Sequence, residues 1–215
     1  MNVLWLLLLV GSVQAADMTV LHYRDQDPGD PPSPTRVLVI TDFLRMDAGD
    51  DAGDFVLLDR RARKVFNVLR GNQLAMVFVP GALPPRPSTL MTRLIRGRTA
   101  KHTVAFSLQV KDQVCSEGVA DRRLAPDAAR AMAELKTILA VTQYRVLRDT
   151  PAEMLHECDH ATQVWDAATT LTLGVTREER ELSGRSRELV KHDRVPLRAD
   201  LFRLPDGIVE RPAPE

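Results

Sequence analysis

Residues 35–79, TRVLVITDFLRMDAGDDAGDFVLLDRRARKVFNVLRGNQLAMVFV, decide how the rest of the chain is read. Short apolar runs alternate with charged or glycine-containing turns, the punctuation of an antiparallel meander of four strands. The runs are residues 37–40, continued by Phe43 and Leu44; 55–58, after the acidic turn 47–54; Val65, Phe66, Val68 and Leu69, after the basic turn 60–63; and 74–79, after Gly71-Asn72. Short length and enrichment in Val, Ile and Phe argue for strand over helix. Odd and even positions are both apolar, so both faces of this sheet require cover.

Outward from this stretch, MTVLHY at 18–23 predicts a first strand, and the proline-rich segment 25–34 a loop. Pro80, Pro84, Pro85 and Pro87 interrupt regular structure downstream. The segment that follows carries Arg86, Arg93, Arg96, Arg98 and Lys101 with no acidic residue, and Leu90, Leu94 and Ile95 suggest a short helical turn. It reads either as an anion- or headgroup-facing loop or as a solvated connection whose charges the acidic turns balance. Residues 102–111 form the cleanest strand, with Val104, Phe106, Leu108 and Val110 on one side and small or polar residues on the other.

Helical spacing dominates the second half. Residues 126–147 keep the three-and-four pattern behind Pro126 and Asp127, which suit a first turn. Thr150, Pro151 and Glu153 open a second helix to Trp165, with Met154, Cys158, Ala161 and Trp165 in one stripe. Thr176 and Glu179 repeat the capping spacing ahead of a weaker helix through 190, interrupted by Gly184. Residues 197–204 are ambiguous between strand and helix, and 211–215 read as a frayed tail.

Residues 1–15 have the layout of a cleaved secretory signal peptide: an apolar core at 3–10, then small residues before a cut after Ala15. No basic residue precedes the apolar core, and no later segment is long and apolar enough for a membrane-spanning helix. The chain is therefore expected in the periplasm or secreted. In an oxidising compartment, Cys115 and Cys158, the two cysteines of 215 residues, predict a single disulfide. Zero net charge with 27% charged residues argues against nucleic acid as a partner and against disorder.

Few residues point to chemistry. The segment HECDH at 156–160 places two histidines on one helix face, ligand types for zinc or copper. Cys158 falls on the other side of the wheel and cannot ligate once oxidised, so the segment reads as half a disulfide flanked by surface histidines. Asp47, Asp50, Asp51 and Asp54 lack the spacing of an EF-hand loop and read as a polar turn. No nucleophile elbow and no phosphate-cradling glycine loop occurs, so neither a catalytic residue nor a metal or other cofactor is expected.

Residues 44–47 (LRMD), 53–60 (GDFVLLDR) and 65–68 (VFNV) resemble an uncharacterised family of exported proteobacterial proteins, and the likeness continues through the Cys115 and Cys158 regions. That family brings no assigned activity with it. The hairpin pattern Asp59-Arg60 with Val65 is similar, more distantly, to the half-barrel proteins that carry lipoproteins in the bacterial envelope. The second resemblance implies a carrier architecture and places no binding residue.

The expected fold is α+β: a curved antiparallel half-barrel sheet of six or seven strands with two or three helices on one face, in a single domain over 16–210. If helices cover one face, the other offers a groove. Val37, Val39, Phe55, Leu57, Phe66, Val68, Met76 and Phe78 are its expected lining. The resulting expectation is a non-catalytic binding or carrier protein for an acyl chain or lipidated peptide. Two alternatives stand beside it: a module docking an envelope protein partner, and a hydrolase with a dispersed triad.

Overall fold

The computed structural model describes residues 16–213, so the expected signal peptide lies outside the described residues. In chain order the strands are β1 (Asp17–Gln26), β2 (Ser33–Val39), β3 (Phe43–Asp47), β4 (Phe55–Asp59), β5 (Lys64–Leu69), β6 (Leu74–Phe78), β7 (Thr92–Ala100), β8 (Thr103–Val110) and β9 (Gln113–Asp121). Helices α1 (Pro126–Arg148) and the short α2 (Glu157–His160) follow, then β10 (Val175–Glu181), β11 (Ser186–Pro196) and β12 (Val209–Pro212). All twelve strands form one open sheet in the order β12-β6-β5-β4-β3-β2-β1-β11-β10-β9-β8-β7. Every pairing is antiparallel except β12 with β6. The class is α+β, as the run of strands followed by helices predicts.

The meander of residues 35–79 contains five strands rather than four. Its first run breaks at Thr41-Asp42, where the Ile40 N–H donates to the Phe43 carbonyl at 3.0 Å and turns the chain back on itself. The two apolar faces are both covered. On one, Leu21, Val37, Val39, Leu44, Leu58 and Val65 pack against Ala128, Ala131, Met132, Leu135 and Ile138 of α1. On the other, Val20, Leu38, Phe55, Leu57, Phe66, Val68 and Ala75 lie beneath Leu201 and Phe202. The second cover is thus the segment between β11 and β12, which contains one 3-10 turn, Ala199–Phe202.

Helix α1 forms where its spacing predicts. Pro126 occupies the first turn with Asp127, and Arg145 and Arg148 lie in the last, each charge complementing the helix dipole. Arg60, from the β4–β5 turn, clamps the helix onto the sheet through Glu134, at 2.8 and 2.9 Å, and through Asp127.

The other half of the sheet is one-sided. Val104, Phe106, Leu108 and Val110 of β8 are buried, and the alternate positions face outward. Their cover is the irregular run after α1, held by the disulfide Cys115–Cys158 with a Cα–Cα distance of 5.1 Å. Closing a loop with a sequence separation of 43 residues stabilises by about 4 kcal/mol in the chain-entropy account.

Four segments depart from expectation. Residues 92–100 are the edge strand β7, because Leu94 pairs with Leu108 and is drawn onto the core side of β8. The expected third helix over 176–190 is instead the hairpin β10–β11, inserted between β9 and β1. Its sparse apolar positions cannot hold a helix on a core, whereas its backbone completes ladders on both sides. Gly184 serves the hairpin turn at φ +88°, where a Cβ would also meet Pro28 Cγ at 2.9 Å. The helix expected over 151–165 is broken into a 3-10 turn, α2 and a π turn over Ala161–Trp165. Arg211 and Pro212 of the expected tail belong to β12, in register with Met76 and Val77.

The cover over the second face is anchored by a charge. Arg45 on β3 is fully buried, at 0% exposure. Its Nε donates to Asp47 Oδ2 at 2.7 Å, Nη1 to the Leu201 carbonyl at 3.1 Å and Nη2 to the Asp51 carbonyl at 3.2 Å. The guanidinium carbon lies 4.0 Å from the centroid of Phe55. Asp47 is held in turn by Arg36 at 2.9 and 2.8 Å and by the Gly49 N–H at 2.9 Å. Asp51, half-exposed, bridges Arg36 and Arg198 at 2.6 Å each. Asp47→Ala, which leaves a buried guanidinium without its carboxylate, is expected to lower unfolding free energy by about 3–5 kcal/mol. Asp51→Ala, which removes a half-exposed carboxylate, is expected to lower it by at most about 1 kcal/mol. Urea denaturation of the two variants measures both, and equal losses would refute the role given to Asp47.

Candidate functional site

The eight side chains expected to line a groove do not share a surface. Val37, Val39 and Phe78 join the core under α1, whereas Phe55, Leu57, Phe66 and Val68 lie on the opposite face beneath Leu201 and Phe202. Met76 is half-buried on β6. The cause is the pleat: neighbouring strand residues point to opposite faces, and each face has its own cover. Apart from Met76, these residues belong to the protein's own core.

The candidate site lies on the α1 side, between the helix, the run after α2 and strands β1, β10 and β11. A cleft of about 430 Å³ opens there. Met132, Leu135 and Leu139 of α1 form one wall, Ala167 and Leu171 another, and Met46 and Tyr23 reach it from the sheet. The charged lining is concentrated on β10, β11 and the turn between them: Glu179, Glu181, Arg185 and Arg187, with Lys136 from α1. Glu179 and Glu181 are two apart on one strand and so project to the same side. Charged side chains on the helix-covered face of a central strand are out of place in a core. Here they stand against an open volume.

The floor is rigid. Arg187 grips Asp25 with two hydrogen bonds, Nε to Oδ1 at 2.6 Å and Nη2 to Oδ2 at 2.7 Å, and Thr35 Oγ1 donates to Asp25 Oδ2 at 2.7 Å. The Arg187 guanidinium also lies 5.0 Å from the Tyr23 ring centroid. The Tyr23 hydroxyl donates to the Thr176 carbonyl at 3.2 Å. Burial opposes ionisation of Asp25, but the hydrogen bonds and charge of Arg187 outweigh it and hold the carboxyl below its usual range. Burial likewise pushes the Tyr23 phenol well above its usual value. Glu181 has no such partner: burial, then the neighbouring Glu179 charge, raises its pKa. The cleft therefore pairs one satisfied charge, Arg187, with a carboxyl that resists ionisation.

The remaining candidates have other roles. His156 accepts from the Cys158 N–H through Nδ1 at 3.1 Å, and Asp159 accepts from the His156 N–H at 2.8 Å, a capping box for α2. His22 lies 3.6 Å from Asp193. Ser116, opposite Glu181 in the β9–β10 register, is buried with no hydrogen-bond partner for its hydroxyl among the described residues. The acidic turn 47–54 serves the Arg36–Arg45–Arg198 network. Among the described residues, no helix is long and apolar enough to cross a membrane.

No protein-family model and no curated protein matches the chain. Among solved structures, it is similar to two crystal forms of PNGF-II. The P21 form gives a TM-score of 0.38 at 11% identity, covering 92% of this chain and 32% of that one. The C2 form gives 0.36 at 9% identity, covering 92% and 31%. The chain spans about a third of the length of these neighbours, and likeness at this level carries no argument about function.

The titrations have opposite signs. Asp25 and Asp47 have lowered folded-state values; for Asp47, burial is outweighed by hydrogen bonds from Arg36, Arg45 and Gly49. Their contribution to stability is complete above the unfolded carboxylate value, about 3.9, and is lost as pH falls through the lower folded values. Glu181, raised, contributes fully below the unfolded value, about 4.3, and loses that contribution as pH rises through its folded value. Glu181→Gln is therefore expected to raise the Tm at pH 7 and leave it unchanged near pH 3, a comparison that calorimetry makes directly. An unchanged Tm at pH 7 would show Glu181 to be solvated.

Proposed function

We propose that the protein is a binding or carrier protein for an amphiphilic small molecule, held in the cleft between α1 and strands β1, β10 and β11. The observation that carries this reading is the division of the cleft: an apolar helix wall faces charged side chains, around a volume within the range of about 300–1,000 Å³ typical of small-molecule sites. An acyl or other apolar moiety fits against Met132, Leu135 and Leu139. Its polar end meets Glu179, Glu181, Arg185 and Lys136. Met46 and Met132 give the wall adaptable side chains, suited to ligands of variable shape. In this reading the sheet is a half-barrel whose hollow is largely filled by α1, and the ligand takes the remainder. The disulfide supports an exported protein working in an oxidising compartment such as the periplasm.

A protein-interaction module of the cell envelope is the alternative reading, favoured by a different surface, the exposed edge strand β7.

Native mass spectrometry of the full chain, exported to an oxidising compartment before purification, tests the carrier. An additional mass that organic extraction removes is expected, and Leu135→Trp, which fills the cleft, is expected to abolish it. Binding of dansyl-undecanoic acid to the extracted protein, with loss in the same variant, is the companion result. A protein that carries no mass and does not bind the probe would overturn the proposal.

A further inference from the structure

No Asp or Glu occurs between Arg60 and Lys111. Of the cations in that interval, Arg60, Arg61, Arg86 and Lys111 reach carboxylates elsewhere in the fold. Those on β7 do not. Arg96 and Arg98, with Lys101 in the turn beyond, have no carboxylate partner among the described residues, and Arg93 touches only the Gln109 amide, at 3.4 Å. The acidic turns expected to balance this run are engaged with Arg36, Arg45 and Arg198 instead.

The same residues form an open edge. β7 pairs with β8 on one side and with no other strand among the described residues on the other, so its outer backbone groups are available to another chain. Apolar side chains are exposed beside the charges: Met91 at 73% and Ile95 at 38%. An antiparallel second copy on β7 would set arginines against arginines, an unfavourable cross-strand arrangement. A strand rich in carboxylates and interleaved with apolar residues meets both the charge and the edge.

We infer that β7 is a docking strand for an acidic, extended polypeptide segment, which adds to the sheet as a further strand beside it. Backbone hydrogen bonds supply the register, Arg96 and Arg98 select carboxylates, and Met91 and Ile95 receive apolar side chains. The surface is separate from the ligand cleft, so the two are independently testable.

Fluorescence anisotropy of a fluorescein-labelled peptide of alternating glutamate and valine, titrated with the full disulfide-bonded chain at low ionic strength, is the test. Saturable binding that weakens with added salt is expected. The double variant Arg96→Glu with Arg98→Glu is expected to bind about tenfold more weakly or worse. N-methylation of alternate peptide amides is expected to abolish binding, a comparison that does not depend on any protein variant folding. Hydrogen exchange is expected to slow over 92–100 on peptide addition. Absence of peptide binding overturns the inference. So does equal binding of the N-methylated peptide, which would indicate a charge patch without strand addition. Retention on phosphatidylglycerol vesicles without peptide binding would assign the strand to a membrane surface and overturn it likewise.

Discussion

A guanidinium buried at 0% exposure governs the outer face of this sheet. Hydrophobic burial is non-directional: a greasy sheet face accepts any greasy cover. Arg45 removes that freedom. Its nitrogens require acceptors at fixed positions, because a buried charge without partners is far costlier than an exposed one. One acceptor is the Asp47 carboxylate on the same strand, and two are main-chain carbonyls, of Asp51 in the next turn and of Leu201 in the covering segment. The Leu201 carbonyl therefore acts as a ligand to β3. With it in place, Phe202 falls against Phe43, ring centroids 6.3 Å apart, and the chain emerges where β12 can pair with β6.

Sidedness of the sheet follows from how each strand is patterned. β4 and β5 are apolar at successive positions and are sandwiched between α1 and the C-terminal cover. β8 alternates and has a helical cover on one side only. The two helical covers, α1 and the disulfide-held run after it, touch, with Tyr144 edge-on to Trp165 at 5.7 Å. Beside that contact a cleft remains over parts of β1, β10 and β11, where Glu179, Glu181 and Arg187 stand on the helix side. Cavity and charge have a common origin: an apolar strand there would be filled by packing, and a charged one keeps its volume open to solvent.

Much of the fold was legible in the chain. The meander, the alternation of β8, helix α1 and the Cys115–Cys158 bond all rest on local signals: period, turn chemistry, capping and cysteine count. The elements that escaped are those whose reason is not local. Residues 176–190 carry a capping-box spacing and few apolar side chains, and become strands because β9 and β1 present unpaired edges. Residues 92–100 become β7 because β8 lies alongside. The C-terminal cover was ambiguous because a 3-10 turn over four residues has no periodicity to detect. Of the cleft, α1's apolar stripe was visible. Its polar half falls within residues 176–190, whose capping spacing reads as a helix.

A stretch apolar on both faces is the mark of a protein's own core, since each face draws a cover from the same chain; reading Val37 or Phe55 as ligand contacts runs against their pleat. The informative residues were TREERE, at 176–181, and Arg187. As a helix these are an unremarkable solvated face. Placed by their ladders inside a twelve-stranded sheet, Glu179, Glu181 and Arg187 fall on the side of α1 and line its cleft, a breach of the rule that covered faces are apolar. Asp25 satisfies Arg187 and the breach is closed there. Glu179 and Glu181 have no hydrogen-bonded counterpart of that kind among the described residues, and only the through-space charges of Arg185, Lys136 and Arg187 oppose the effect of burial on Glu181.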